Sequence, residues 1–546
     1  MPCSHGDKWG KLENGMTESF RIAALLASGF ASMAAPHGYA QTVMRGAEQT
    51  PAVFSAHLPS LRGAMAQTEG IGAEHRVREL KLIPLVDAPG QASDPVVQSR
   101  AGTSAGITPG LGFDGIGVGL GSYSPQYAPP DTTGAVGATQ YVQWVNVDLA
   151  VFDKTTGALA TGFPKSGNAL FQLLGGPCAT NNDGDPVVQY DKAANRWVLS
   201  QFSVTNGSSS GYWQCVAVSQ TSDATGGYNL YAFNYPQFND YPKMGVWSDG
   251  YYVTFNMFTS TFQGARVCAY DRAKMLDGLS ATQQCFQLSS SYASLLPADI
   301  DGTTAPPAGS PNYLVNRLST ALGLWKFKVD WSNSANTTLT GPTMIPVAAY
   351  DAACRGGACI PQPNTSQKLD SLADRLMFRL AYRNIGGVER MVVNHSVQVN
   401  QTSKRNSGNA AVRWYEIRNM STTPSVYQQS SYGPDTNFRW MGSAATDKQG
   451  NMALGYSVSS SSVKPSLAIA TRLAGDATGT LSSETTIIAG AGSQLSNLSR
   501  WGDYTHMSVD PVDDCTFWYT GQYLKADGIF NWSTRIASFK IASCLP

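Results

Sequence analysis

Asp183-Gly-Asp-Pro-Val-Val-Gln-Tyr-Asp-Lys-Ala-Ala-Asn-Arg-Trp-Val-Leu-Ser-Gln-Phe202 is the stretch that decides the fold. A polar cluster runs into a short apolar segment, a turn follows at Asp191 to Asn195, and a second apolar segment carries Trp197. Two such segments around a turn read as a β-hairpin. The same order recurs six more times: from Pro129 (PPDTTGAVGATQYVQWVN), Asp240 (DYPKMGVWSDGYYVTFN), Pro297 (PADIDGTTAPPAGSPNYLVN), Asp374 (DRLMFRLAYRNIGGVERMVVNHSV), Arg439 (RWMGSAATDKQGNMALGYSV) and Arg500 (RWGDYTHMSVDPVDDCTFWYTGQY). The unit starts Asp131, Asp185, Asp240, Asp299, Asp374, Arg439 and Arg500 lie 54 to 75 residues apart. A repeat of that length is one four-stranded unit with variable loops, and radial closure of such units removes exposed strand edges. The expected fold is therefore all-β: a β-propeller of seven blades, each of four antiparallel strands. A pair of β-sandwiches would also supply many strands but would not repeat in this way. The count is weakest at the fourth unit, Pro297, where the pattern is least regular.

Composition points the same way. The 546 residues include 54 Gly, 24 Tyr and 12 Trp, which suits many short strands joined by tight turns. Charged residues make up only 14%, with 38 basic against 38 acidic, so the cationic surface that nucleic acid or anionic membrane requires is missing. Helical candidates are few, Leu369 to Leu380 being the best, and that segment reads equally well as a loop leading into a strand.

The N-terminal region divides in two. From Met16, Arg21 followed by the apolar run Ile22 to Ala35 and a small-x-small pattern at Gly38-Tyr39-Ala40 reads as a signal peptide, with translation expected to start at Met16. The apolar run is too short for a membrane span, and no later stretch reaches that length. Residues 41–110 are rich in Ala, Gly, Pro and Gln with little periodicity, the composition of an arm or pro-segment. The division expected is thus a leader over 1–40, an arm over 41–110 and the propeller over 111–546. The glycine ladder at Gly112 to Gly121 lacks the spacing and the following helix of a dinucleotide loop.

Eight cysteines remain outside the leader, an even number suited to an oxidising compartment. Pairing neighbours in sequence gives Cys178–Cys215, Cys268–Cys285, Cys354–Cys359 and Cys515–Cys544, one of 105 connectivities open to eight cysteines. None of the spacings matches a zinc cluster.

The blocks PPDTTGAVG, NDGDPVVQYD, DYPKMGVW, DRLMFRLAYRN and RWGDYTHMSVDPVDDCTFWYT resemble those of a family of uncharacterised secreted bacterial proteins with β-propeller-like sequences. The resemblance covers roughly residues 111–546 and implies architecture and export. It implies no particular chemistry.

Function is read from the unit starts. In a propeller the first strand of each blade lies against the central channel, so the seven polar starts should converge on one mouth. That would gather Asp131, Asp183, Asp185, Asp240, Asp299, Asp301, Asp374 and Asp503 with Lys243, Arg375, Arg439 and Arg500. Two carboxylates flanking a glycosidic bond are the minimum for its hydrolysis. Crowding pushes their pKa values apart. Arginines suit uronate or sulfated units. The expected catalytic candidates are Asp131, Asp185 and Asp240, with Tyr241, Arg375, Arg439, Arg500 and Asp503 positioning a polysaccharide or glycoconjugate. The competing reading is a non-catalytic, monomeric ligand-binding module, secreted, periplasmic or at the cell surface, whose Asp and Arg side chains lock the blades together.

No cofactor is required. The Asn181 to Asp185 loop reads as an Asx-turn opening the next strand, with a calcium site through Asp183 and Asp185 as the alternative, from whose EF-hand pattern Pro186 and Lys192 depart. The Gly-x-Ser-x-Gly patterns at Ser104 and Ser209 lack a nucleophile elbow, and His395 sits in a strand pattern. The tryptophans beside the unit starts read mainly as packing between blades, with a few rim positions able to stack on sugar faces.

Overall fold

The chain folds as a β-propeller of seven blades in a computed structural model that describes residues 41–65, 75–86, 94–103, 106–205, 211–401 and 408–545. Blade two shows the plan. Its strands Val187–Asp191, Arg196–Val204, Tyr212–Ser219 and Tyr228–Tyr235 form an antiparallel meander from the channel outward. The hairpin turn after the first strand is set locally: the Asp191 carboxylate accepts the Ala194 N–H at 3.0 Å, and Asn195 takes a positive φ of 58° that asparagine tolerates. The first strands of the other blades are Thr133–Val136, Phe238–Val246, Leu296–Ile300, Met377–Ile385, Phe438–Thr446 and His506–Val509.

The strands are less alternating than a half-buried sheet would be. Tyr251–Phe258 (YYVTFNMF) is buried at every position, because each blade is covered on both faces by its neighbours. The inter-blade tryptophans Trp144, Trp197, Trp247, Trp440 and Trp501 are fully buried. The segment Leu369–Leu380 is not a helix: a two-residue strand at Leu369–Asp370 and a loop lead into Met377–Ile385.

Closure and edge protection come from residues ahead of blade one. Ile107–Asp114 is the outermost strand of blade seven, paired from Ile107↔Ile541 to Asp114↔Arg535. The expected boundary at 111 therefore cuts through a strand. Further upstream, Thr42–Arg45, Glu48–Pro51 and Phe54–Leu58 add a fifth strand to blades four, three and two in turn, and Val97–Gln98 pairs with the outer strand of blade five. Periodicity is weak here because each strand is only two to five residues long and is exposed on one side.

All four expected disulfides are present, Cys178–Cys215, Cys268–Cys285, Cys354–Cys359 and Cys515–Cys544. No helix among the described residues is long and apolar enough to cross a membrane. The leader and the Ser104 and Ser209 patterns fall on or across residues outside those described.

Candidate functional site

In six blades the chain meets the channel through a non-glycine residue with positive φ: Asp131 (48°), Asp185 (47°), Tyr241 (54°), Ser294 (47°), Met441 (52°) and Asp503 (61°). Such a conformation costs on the order of 1–2 kcal/mol for an L residue, least for aspartate and asparagine. Three of the six are aspartates, and strained positions that persist are concentrated where a structure holds groups for a task.

Three of these blades, together with blade five, contribute to one cavity of about 290 Å³. It is lined by Asp183 and Asp185 of blade two, Asp240 and Tyr241 of blade three, Arg375 ahead of blade five, and Arg500 and Asp503 ahead of blade seven. A strap from the N-terminal region closes one side with Arg76, Arg78 and Lys81. It is fixed by a short parallel ladder, Arg76↔Tyr127 and Val77↔Ala128, and by Arg500, which donates to the Arg78 carbonyl at 2.7 Å. The Arg78 guanidinium lies 4.6 Å over the Tyr127 ring.

Burial governs the electrostatics. Asp240 is pushed up to about 7, first by desolvation and then by the nearby Asp185, against the pull of Arg375 and Lys243. Asp185 is raised mainly by burial, and Asp131 well above the carboxylate range by burial together with Asp503 and Asp185. Asp370, behind Arg500, is pushed up to about 6 by burial. Among the described residues neither the Asp185 nor the Asp240 carboxylate has a hydrogen-bond or ion-pair partner. Asp131, 1% exposed, accepts from Asn146 at 2.7 Å through Oδ2, while its Oδ1 is unpartnered.

The cations are held differently. Lys243 Nζ lies 3.7 Å and 3.8 Å over the rings of Tyr241 and Tyr504, and burial pushes it down to about 8. Arg375 grips Asp374 through two bonds of 2.7 and 2.9 Å and lies 4.5 Å over the Tyr241 ring. Arg500 pairs with Asp503. The result is a concavity holding two carboxylates without partners, Asp240 pushed up to about 7 and Asp185 raised by burial, with fixed positive charge around them.

The structure thus brings Asp183, Asp185, Asp240, Tyr241, Arg375, Arg500 and Asp503 to one cavity; Asp131, the remaining expected catalytic candidate, is buried within their electrostatic reach but outside the lining. It does not bring Arg439, whose guanidinium is committed to Asp435 at 2.8 and 2.9 Å and to Glu484 at 2.8 Å, away from the cavity. Nor does it bring Asp299 and Asp301. The blade-four strand Leu296–Ile300 places Asp299 near its far end, where Asp299 accepts the Val246 N–H at 2.9 Å and both aspartates pair with Arg379. The far end has its own cavity, about 190 Å³, beside Asp191, Trp247 and Ile300.

At the loop read for calcium, Asp183 accepts the Val204 N–H at 2.7 Å, and the Asn181 and Asn182 amides donate to Val204 and Val147 carbonyls. Among the described residues no group of three or more His, Cys, Asp or Glu side chains is placed to hold a metal. His395 is buried against Tyr415, to which its Nε2 is 2.9 Å away. The strap cations were missed by sequence reasoning; the concentration of charge at Arg76, Arg78, Glu79 and Lys81, in a segment otherwise poor in it, is the signal that marks them.

No family model matches the sequence, and no curated relative does. Among solved structures, the chain is similar to an ulvan lyase of polysaccharide lyase family PL25 (10% identity, TM-score 0.38, covering 83% of this chain and 99% of that one). It is also similar to an endo-arabinase from Bacteroides thetaiotaomicron (11%, TM-score 0.27, 62% and 88%) and to a protein of unknown function from Dyadobacter fermentans (10%, TM-score 0.36, 65% and 93%).

Proposed function

We propose that this protein is an exported enzyme that binds a polysaccharide bearing acidic units at the cavity mouth and hydrolyses it by acid–base chemistry of Asp240 and Asp185, with Asp131 buried behind them. One observation carries the reading: Asp240, pushed up to about 7, faces the cavity without a partner, within the field of Asp185. A carboxyl group that exchanges its proton near neutral pH serves as general acid, and a second carboxylate beside it serves as base or nucleophile. Arg375, Arg500 and the strap's Arg76 and Arg78 supply the positive surroundings that a uronate or sulfate group on the substrate would meet. Four disulfides suit an oxidising compartment outside the cytoplasm.

The test is release of reducing ends from a panel of acidic polysaccharides by wild type and by Asp131→Asn, Asp185→Asn and Asp240→Asn. Loss of at least a hundredfold in the Asp240 variant is expected. Unchanged rates in all three variants, or no release by the wild type, would overturn the reading. A binding module without catalysis is favoured by a different observation, the commitment of Arg375 to Asp374 and of Arg500 to Asp503. Retention of a polysaccharide with no product would select it.

A further inference from the structure

On the same face as the mouth lies a second concavity of about 790 Å³, between blades two and three. It is built where strands of the two blades begin and end: Tyr212 opens the third strand of blade two, Asn234 and Tyr235 close its fourth, and Phe258 closes the second strand of blade three. Gln237, in the link between the blades, and Trp213 complete it.

Its chemistry differs from that of the mouth. No lining residue is charged, whereas the mouth is lined by four aspartates and five basic side chains. Aromatic and amide side chains line it instead: the rings of Trp213, Tyr235 and Phe258 are buried as its floor, whereas Tyr212, Asn234 and Gln237 reach solvent, an exposed ring to pack on the apolar face of a sugar and two amides to read its hydroxyls. The Gln237 amide has no partner among the described residues, and Asn234 donates only one bond, to the Tyr212 carbonyl at 3.3 Å. The two concavities are separated by a single aromatic partition. Phe238 lines the mouth and packs on Phe202, also in the mouth, at 5.3 Å, and on Tyr212 of the second groove at 5.6 Å.

We infer that this groove is a second glycan subsite, holding neutral or apolar-faced sugar units of the same chain whose acidic unit occupies the mouth. The inference rests on the reading of the mouth as a glycan site. Its size is within the range of small-ligand sites and leaves room for more than one sugar ring. A linear chain leaving the mouth past Phe238 meets it next, so the protein would grip the interior of long chains rather than their ends.

The test uses the full chain with hyaluronan, unsulfated chondroitin, heparosan and gellan, linear polymers that interleave uronate with neutral units, and with di- and octasaccharides of whichever binds most tightly in calorimetry. The expected result is an octasaccharide affinity at least tenfold above that of the disaccharide. Tyr212→Ala and Gln237→Ala should each collapse that ratio toward one, roughly tenfold for the tyrosine, and their circular dichroism should match the wild type. Asp240→Asn should lose turnover yet keep the ratio. A wild-type ratio near one, or a ratio unaltered in both groove variants, overturns the subsite and leaves the mouth standing. Full turnover in Asp240→Asn with a collapsed ratio in the groove variants overturns the mouth chemistry and supports the groove. No binding to any of the four polymers overturns both.

Discussion

Replacing Asp240 by Asn should make the protein more stable, by an amount that grows with pH. The folded carboxyl is pushed from 3.8 up to about 7, so between those values the native state holds a proton that the unfolded chain releases. Stability therefore falls as pH rises through this window, and the loss is complete above the folded value. Linkage over that shift gives a cost of about 2 kcal/mol at pH 5 and about 4 kcal/mol at pH 8. The amide does not titrate, so the variant escapes this dependence, and its margin over wild type should widen by about 2 kcal/mol between pH 5 and pH 8. For a chain of 546 residues the unfolding entropy is roughly 1 kcal/mol per kelvin, so the gap in Tm should grow by about 2 °C. Differential scanning calorimetry at pH 5, 6, 7 and 8 reads this directly. Asp185, Asp503, Arg375 and Lys243 share the field, so part of the change will reappear as altered titration of Asp185. A gap that is flat with pH, or a variant less stable than wild type at pH 8, would refute the claim that burial holds Asp240 in an unfavourable charged state. A stabilised but inactive variant is the signature of a site that trades stability for chemistry.

Other consequences are as concrete. Replacing both cysteines of the Cys178–Cys215 pair, which spans 37 residues, should cost about 4 kcal/mol in chemical denaturation, against about 2 kcal/mol for Cys354–Cys359, which spans 5. Arg379→Leu leaves Asp299 and Asp301 buried without their shared guanidinium, with Lys192 and the more distant Arg383 as the remaining cations, and should destabilise by about 3–5 kcal/mol, with any substrate affinity at the mouth unaltered in the folded fraction. Gly455→Ala would place its Cβ 2.5 Å from the Tyr519 ring between blades six and seven, so a loss of about 1–3 kcal/mol and a lower Tm are expected.

The architecture was legible because each blade repeats the order of polar residues, strand, turn and strand, and because strands covered on both faces are rich in aromatic and β-branched residues, as in Tyr251–Phe258. The mouth was legible where aspartate stands two residues before the inner strand, as at Asp131 and Asp185. It was not legible where side-chain direction depends on partners distant in sequence. Arg439 occupies the start of its blade, but Asp435 and Glu484 turn it outward. Asp299 and Asp301 share the Asp-x-Asp spacing of Asp183 and Asp185, yet the apolar pair Leu295 and Leu296 sets the register and carries them past the mouth. The strap was invisible because its placement rests on two ladder pairs and on Arg500, more than 400 residues away.

The strand Ile107–Asp114 closes the ring without a covalent bond. Its ladder begins at Ile107↔Ile541, where the incoming and outgoing chain lie side by side. Tension applied through those two ends loads the hydrogen bonds one at a time, as a zipper is opened, instead of shearing them together. Under mechanical force the seventh blade is therefore the gate, and the ring should part there at low load. Cys515–Cys544 limits how far the C-terminal strand can be drawn out, because the end of that strand remains stapled to the turn that precedes its neighbour.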